Sequence, residues 1–329
     1  MLLMCIPMFT LGRWCTALFF CFLLPHGCQE SHKFLRSREA HGSQPTRILA
    51  VYEPWFGHPR HISVGYSSHD PEVVRRQIEQ AKALGISGFV VDWYGDREPF
   101  IDASYSLLQK AAAADHFHIA MFYDETSNEE DATDVALADF RLFHDQYLSP
   151  NSPGREAYLS YEGRPVIFIF PKGGRTDWSR VRADLNKWST PPLLIYEDGP
   201  GQYPDAFDGY YPWINPGKEG WKPDGSAWGE GYLSEFYQKM QSKYPDKIAV
   251  GGVWSSFDDS KASWGLNRHI SPRCGATFTD TMNLVKKYYP ETDPIPFALI
   301  ETWNDYEEGS AIEPGIPNCS PDAGRPASR

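Results

Sequence analysis

Residues 295–315 read IPFALIETWNDYEEGSAIEPG. The run 295–300 has the length and residue types of a strand buried on both faces, as in a parallel sheet covered by helices. It ends abruptly in acid: Glu301, Asp305, Glu307, Glu308 and Glu313 fall within thirteen positions, with Trp303 and Tyr306 among them. Barrels of parallel strands carry their catalytic groups at the C-terminal strand ends. Paired carboxyl groups break glycosidic bonds, and indole and phenol faces stack on sugar rings. A solvated acidic loop has the same composition, so the preceding chain must decide.

Seven more short apolar runs precede this one, at 47–52, 86–91, 118–123, 165–170, 193–196, 206–210 and 247–253. Helical patterns separate most of them. Asp70-Pro71-Glu72 starts a helix with an N-cap, a proline at the first position and an acid at the positive end of the dipole. Val74, Ile78 and Ala81 continue it, and Gly85 stops it. Further helices are predicted near 99–114, 129–148, 178–188, 226–243 and 276–289. Only Gly199 to Asp205 joins the fifth and sixth runs, so a fifth helix is absent or minimal. The Pro- and Ser-rich residues 315–329 cannot form a regular eighth helix. A doubly wound sheet would alternate in the same way, but a count of eight strands favours an α/β fold of the (β/α)8 TIM barrel type, lacking a regular eighth helix. A chain of 329 residues is the right length for one such barrel.

The expected domain layout follows. Residues 1–28 read as a signal peptide or N-terminal anchor, 29–46 as a linker, 47–315 as the catalytic barrel domain and 316–329 as a disordered tail. Arg13 precedes an apolar stretch at 14–24, short for a membrane span. Two fates stay open: cleavage, or a lipoprotein anchored at Cys28. The protein is therefore expected to be secreted or periplasmic, touching a membrane only through an uncleaved or lipidated N-terminus. Of six cysteines, only Cys274 and Cys319 lie beyond this segment, enough for one disulfide after export.

A formal charge of −12 opposes binding to nucleic acid. Neutral or cationic ligands are easier to accommodate. His58, His61 and His69 are scattered along one loop and read as surface or packing residues. There is no HExxH, CxxC, phosphate loop or GxSxG elbow. No cofactor or metal is expected, although Asp258-Asp259 with Glu197-Asp198 leaves calcium as an alternative.

The strand ends carry acids and rings repeatedly: Tyr52-Glu53-Pro54-Trp55, Asp92-Trp93-Tyr94, Tyr123-Asp124-Glu125, Glu197-Asp198, Tyr210-Tyr211-Pro212-Trp213, Trp254 and Glu301-Thr302-Trp303-Asn304-Asp305. A deep acidic cleft rimmed by rings is expected, with an oligo- or polysaccharide substrate. Tyr52, Trp55, Asp92, Trp93, Tyr123, Tyr211, Trp254, Trp303, Asn304 and Glu313 are its candidate substrate-binding residues. Trp55, Trp93, Tyr123, Tyr211 and Trp254 are the stacking candidates. Glu301 reads as a buried partner of Arg or Lys, Glu313 also as an anchor of the loop, and Glu307 as an exposed carboxylate.

The order of these motifs resembles glycoside hydrolase families 71 and 99, barrel enzymes that include α-1,3-glucanases and endo-α-mannosidases or endo-α-mannanases. Tyr52-Glu53-Pro54-Trp55-Phe56-Gly57, the stretch 86–94 and the stretch 120–125 are similar to the first three strands of family 99. Asn304-Asp305-Tyr306-Glu307-Glu308-Gly309 followed by Ile312-Glu313-Pro314 is similar to its closing motif, and Thr302 to Tyr306 also matches the family 71 form. The resemblance implies cleavage of α-linked glycans of mannan or glucan type, with Glu308 as general acid/base and Asp305 as its partner carboxylate. It also implies that Glu125 contacts substrate. Where family 99 has Glu, this chain has Asp305, one methylene shorter, which leaves both an epoxide route and an inverting, base-activated water open. The alternative is a catalytically weak or vestigial carbohydrate-binding protein on the same barrel. A glycan lyase using Tyr and Asp is a third possibility.

Overall fold

The computed structural model describes residues 44–216, 222, 226–316 and 319. The signal or anchor segment and most of the linker lie outside them, as does most of the tail. Among the described residues no helix is long and apolar enough to cross a membrane.

Eight parallel strands close into a barrel: β1 (Arg47–Tyr52), β2 (Gly88–Trp93), β3 (His118–Asp124), β4 (Arg164–Phe170), β5 (Leu193–Glu197), β6 (Gly209–Tyr211), β7 (Ile248–Val253) and β8 (Phe297–Ile300). Each pairs with the next, and β8 returns to β1 with Arg47 opposite Phe297 and Ala50 opposite Ile300. The TIM-barrel expectation is met. Among the described residues six α-helices sheathe it: α1 (Pro71–Ala83), α2 (Pro99–Ala114), α3 (Ala132–Phe143), α4 (Trp178–Leu185), α5 (Glu230–Lys243) and α6 (Ala276–Tyr288). Asp70 caps α1 as its sequence demands, its side chain accepting from Glu72 N at 2.9 Å. The helix expected over 129–148 is shorter, continuing as a wider turn over His144–Leu148.

No helix joins β5 to β6 or follows β8 among the described residues. Rings cover the first gap, where Phe207 stacks on Tyr196 at 4.1 Å and packs against Trp178. This explains why the sixth strand begins at Gly209 and not at Ala206. Ala206 and Phe207 form part of the sheath, and Asp208 is tied to Arg164 and Arg182 at the base of the barrel. Cys319 of the expected tail forms a disulfide with Cys274, which lies just ahead of α6.

Side chains alternate between two cores, because successive residues of a strand face opposite ways. Leu49, Val51, Val90, Phe122, Val166, Phe168, Ile195, Tyr211, Val250, Phe297 and Leu299 fill the lumen. Ala50, Tyr52, Val91, Trp93, Met121, Tyr123, Ile169 and Ile300 pack outward against the helices. Counting on by two from the lumen residues puts Glu53, Asp92, Asp124, Phe170, Glu197 and Glu301 inside the barrel's open end.

Candidate active site

The β8–C-terminal loop builds the site around Asp305. Asp305 N donates to Thr302 Oγ1 at 2.8 Å, while Asp305 Oδ1 accepts from Glu307 N at 2.9 Å and Glu308 N at 2.8 Å. This turn fixes the two proposed catalytic carboxyls three residues apart. Gly309 then turns the chain at φ +62°, and a Cβ there would lie 3.1 Å from Asp258 Cβ and N. Glycine admits both the conformation and the approach. Glu308 O accepts from Asp258 N at 2.7 Å, which brings the 257–270 segment over the acid. From that segment the Trp264 indole donates to Glu308 Oε1 at 2.8 Å.

Burial pushes the Glu308 carboxyl up; the Trp264 hydrogen bond and the nearby Arg268 charge oppose this, and Asp259 and Glu307 add to it. Burial and the Glu308 charge push Asp305 well up, against the two backbone N–H groups. Both effects favour a proton on the pair near neutral pH, as a general acid requires.

Glu53, which the candidate set missed, is part of the same cluster. It is buried, its backbone N–H donates to Asn304 Oδ1 at 2.7 Å, and its carbonyl accepts from Asn304 Nδ2 at 2.9 Å. Asn304 is thus a clamp on the end of β1. Burial, then Asp92, Asp305 and Glu308, drive the Glu53 carboxyl well above its ordinary range. Burial and Asp124 push Asp92 up to about 8, against its contacts with Tyr94 and Lys172. The Lys172 ammonium lies 2.7 Å from Asp124 Oδ1 and 3.0 Å from Oδ2. On the far side, burial and the neighbouring Asp198 and Asp124 push Glu197 up to about 8.

Several sequence expectations require correction. Tyr52, Trp93 and Tyr123 face the helices, not the cleft: Tyr52 donates to Gln77 Oε1 at 2.7 Å and Tyr123 to Asp139 Oδ2 at 2.9 Å, while Trp93 packs against Phe143. Trp303 packs on Phe89 in the same sheath, and Trp254 is buried with its indole donating to Trp228 O at 2.9 Å. The alternation of faces along a strand is the signal that separates these rings from their lumenal neighbours. Tyr211 does face the lumen, but as a buried floor whose hydroxyl donates to Ile169 O at 3.0 Å. Glu301 has no basic partner: it is fully buried, neither carboxyl oxygen has a partner among the described residues, and burial pushes it well up. Glu307 is not exposed. It accepts from Ile62 N at 3.2 Å and pairs with His61 Nδ1 at 2.7 Å.

The remaining candidates keep defined places. Trp55 lies flat on His61 at 4.7 Å and meets Trp264 edge-on, so these three rings flank Glu308. Glu313 anchors the loop, accepting from Tyr66, Tyr306 and Gln77 at 2.9, 3.0 and 2.8 Å. Glu125 is buried and holds the segment after β4 through Lys172 N at 2.7 Å and the Thr176 hydroxyl. Phe170 and Trp213, half-buried and 5.4 Å apart, supply rings on the opposite rim. Asp259 is bound by Arg268 and by two backbone N–H groups, and Asp258 caps Ser260, so these acids organise their own turn. Among the described residues no group of three or more His, Cys, Asp or Glu side chains is placed to hold a metal ion.

The closed barrel, with its acids at the β1, β2, β3, β5 and β8 ends, can be set beside solved structures. In fold the chain is like glycoside hydrolase family 99. Two structures of the GH99 endo-alpha-mannosidase from Bacteroides thetaiotaomicron match it, one of them a complex with Bis-Tris propane. The complex aligns with a TM-score of 0.64 at 18% identity, covering 81% of this chain and 86% of the other. The second gives 0.65 at 17%, covering 81% and 87%. A glycoside hydrolase-like protein gives 0.60 at 15%, covering 82% and 87%. No family profile and no curated protein sequence matches the chain. At these identities the likeness is one of fold.

Proposed function

We propose that this protein is a glycoside hydrolase acting on α-linked glycans of mannan or glucan type, with Glu308 as general acid/base and Asp305 as its partner carboxylate. One observation carries the proposal. Two carboxyls, both shifted towards protonation by burial and neighbouring charge, are fixed on one turn at the open end of a barrel. The fold it shares with an endo-alpha-mannosidase supports the same chemistry. Glu308 would protonate the leaving oxygen, and Asp305, once ionised, would act on the opposite proton of the reaction, on water or on the sugar itself. Trp55 and His61 on one side, and Phe170 and Trp213 on the other, are the surfaces against which sugar rings would rest. Secretion belongs to the same proposal, supported by the Cys274–Cys319 disulfide, which suits an oxidising compartment.

The test is reducing-end release from α-mannan and α-1,3-glucan by wild type and Glu308→Gln. Loss of a general acid should slow cleavage by about 10²–10⁴-fold. Undiminished activity in Glu308→Gln rejects the site assignment. Wild type that binds these glycans but never cleaves them would instead establish a carbohydrate-binding protein.

A further inference from the structure

The open end of this barrel holds more acid than glycosidic cleavage uses. That reaction asks for two carboxyl groups, and Asp305 and Glu308 take those places. Glu53 and Asp92 lie beside them at the ends of β1 and β2, each 4% exposed and each on the lumenal face of its strand. They contact one another, and Glu53 also feels the charges of Asp305 and Glu308. Even so, Glu53 Oε2 and Asp92 Oδ1 have no hydrogen-bond partner among the described residues. The basic groups near them are engaged elsewhere: Lys172 holds both oxygens of Asp124, and Arg268 is bound to Asp259. Buried carboxyl oxygens without a donor are costly, and the donor of a ligand entering the barrel's open end would be a natural partner.

We infer that Glu53 and Asp92 form an ammonium subsite, and that the glycan taken by this cleft carries free amino groups. The glycan half of this inference rests on the proposed function; the subsite does not. Calcium or magnesium takes six or more oxygen ligands, and among the described residues no group of three or more His, Cys, Asp or Glu side chains is placed to hold a metal ion. An ammonium needs only three acceptors, which two carboxyls and a sugar oxygen provide. Glu197 and Glu301 lie across the lumen, and burial raises both, so they too would ionise more readily beside a bound cation. A neutral sugar offers no such charge.

The pair's titratable neighbours are Tyr94 on its own strand end, Asp124 and Lys172 from β3 and β4, and Asp305 and Glu308 from the β8 loop. With Asp92 up at about 8 and Glu53 raised as well, the empty pair retains protons at neutral pH. An arriving ammonium favours the ionised carboxylates, so a proton leaves the pair for the buffer.

Calorimetric titration at pH 7 with an α-linked glucosamine oligosaccharide, and with the same oligosaccharide after N-acetylation, tests this. The free amine should bind at least about tenfold more tightly, the low end of what a charge-assisted hydrogen bond contributes. The heat should vary with the buffer's ionisation enthalpy, reporting the released proton. Glu53→Gln and Asp92→Asn, checked for folding by circular dichroism, should each remove most of the preference, and the charge-conserving Glu53→Asp should retain part of it. Equal affinity for the two ligands overturns the inference, as does a preference that survives in the Glu53→Gln/Asp92→Asn double variant. The two proposals fail separately. Amine-selective binding without cleavage of any glycan keeps the subsite and removes the hydrolase, whereas cleavage of neutral α-glycans with no amine preference does the reverse.

Discussion

Trp264→Phe tests the acid role of Glu308 without touching its carboxyl. The indole N–H donates to Glu308 Oε1 at 2.8 Å, a contact that favours the ionised form and so opposes the upward push of burial. Phenylalanine keeps a ring beside Trp55 and His61 but removes the donor. A hydrogen bond to a charged group is worth roughly 1.5–3 kcal/mol when solvent is excluded. Trp264 is 46% exposed, so water takes over part of its role, and about 1 kcal/mol remains. Divided by 1.36 kcal/mol per unit, that moves the alkaline limb of the pH–rate profile up by about 0.7 pH unit. The sign is fixed: losing a donor to the carboxylate strengthens the protonated form, so the variant should stay active to higher pH. The assay is initial rate on an α-glycan from pH 4 to 9, with kcat and KM separated at each point. An alkaline limb that does not move, or moves to lower pH, refutes Glu308 as the group protonated in the reaction.

Other perturbations probe the frame around this acid. Asn304→Ala leaves the N–H and C=O of Glu53 buried without partners, at about 1–3 kcal/mol each, and urea denaturation should show a loss of about 2–6 kcal/mol together with lower kcat. A loss under 1 kcal/mol would mean the clamp is not formed. Glu197, raised to about 8, keeps its proton in the folded chain after the unfolded chain has released it, so it lowers stability as pH rises from about 4.5 to 8, by about 1.4 kcal/mol per unit. Glu197→Gln does not titrate. Its stability relative to wild type should climb through that window and level off above it; parallel curves would rule out a raised carboxyl. Cys274→Ser opens a 45-residue loop and should cost up to about 4 kcal/mol on chain-entropy grounds, read as a fall in Tm that dithiothreitol reproduces in wild type.

The barrel was legible in the sequence because each strand is a short run buried on both faces, and eight such runs separated mostly by helices leave few topologies. Asp305 and Glu308 were legible through a local motif, and their geometry depends on hydrogen bonds within that motif. The aromatic rim was less so. Tyr52, Trp93 and Tyr123 each sit one residue from a lumenal acid at position 53, 92 or 124, and counting rings at strand ends ignored the face each ring takes. The two-residue alternation would have turned them outward and brought in Glu53. Glu307 and His61 are 246 residues apart in the chain, so no local pattern could pair them. Trp264 lies outside every strand end, and it reaches Glu308 only because Asp258 N and Gly309 bring two loops together.

The clustered acids also bear on what the fold must withstand. Glu53, Asp92, Glu197, Glu301 and Asp305 are all shifted upward, burial being the largest cause in each. For a carboxyl raised in this way the folded state binds more protons than the unfolded state, so each group lowers stability as pH climbs above its unfolded range. The acidic end of the barrel is therefore least favourable to folding at neutral and alkaline pH. Stabilisation has to come from elsewhere: the two apolar cores, the helix caps and the disulfide that ties the chain beyond β8 back to the start of α6. Proton uptake relieves the repulsion, and on the proposed mechanism the same uptake arms Glu308 as an acid. Mild acidity should then raise stability, while activity should peak where the Asp305–Glu308 pair holds a single proton. Acid loss of activity should begin only where Asp305 can no longer ionise, while the chain is still folded, and rates and ellipticity followed in parallel below pH 6 would separate the two events. If activity and structure were lost at one pH, acid unfolding and not protonation of Asp305 would set the lower limit.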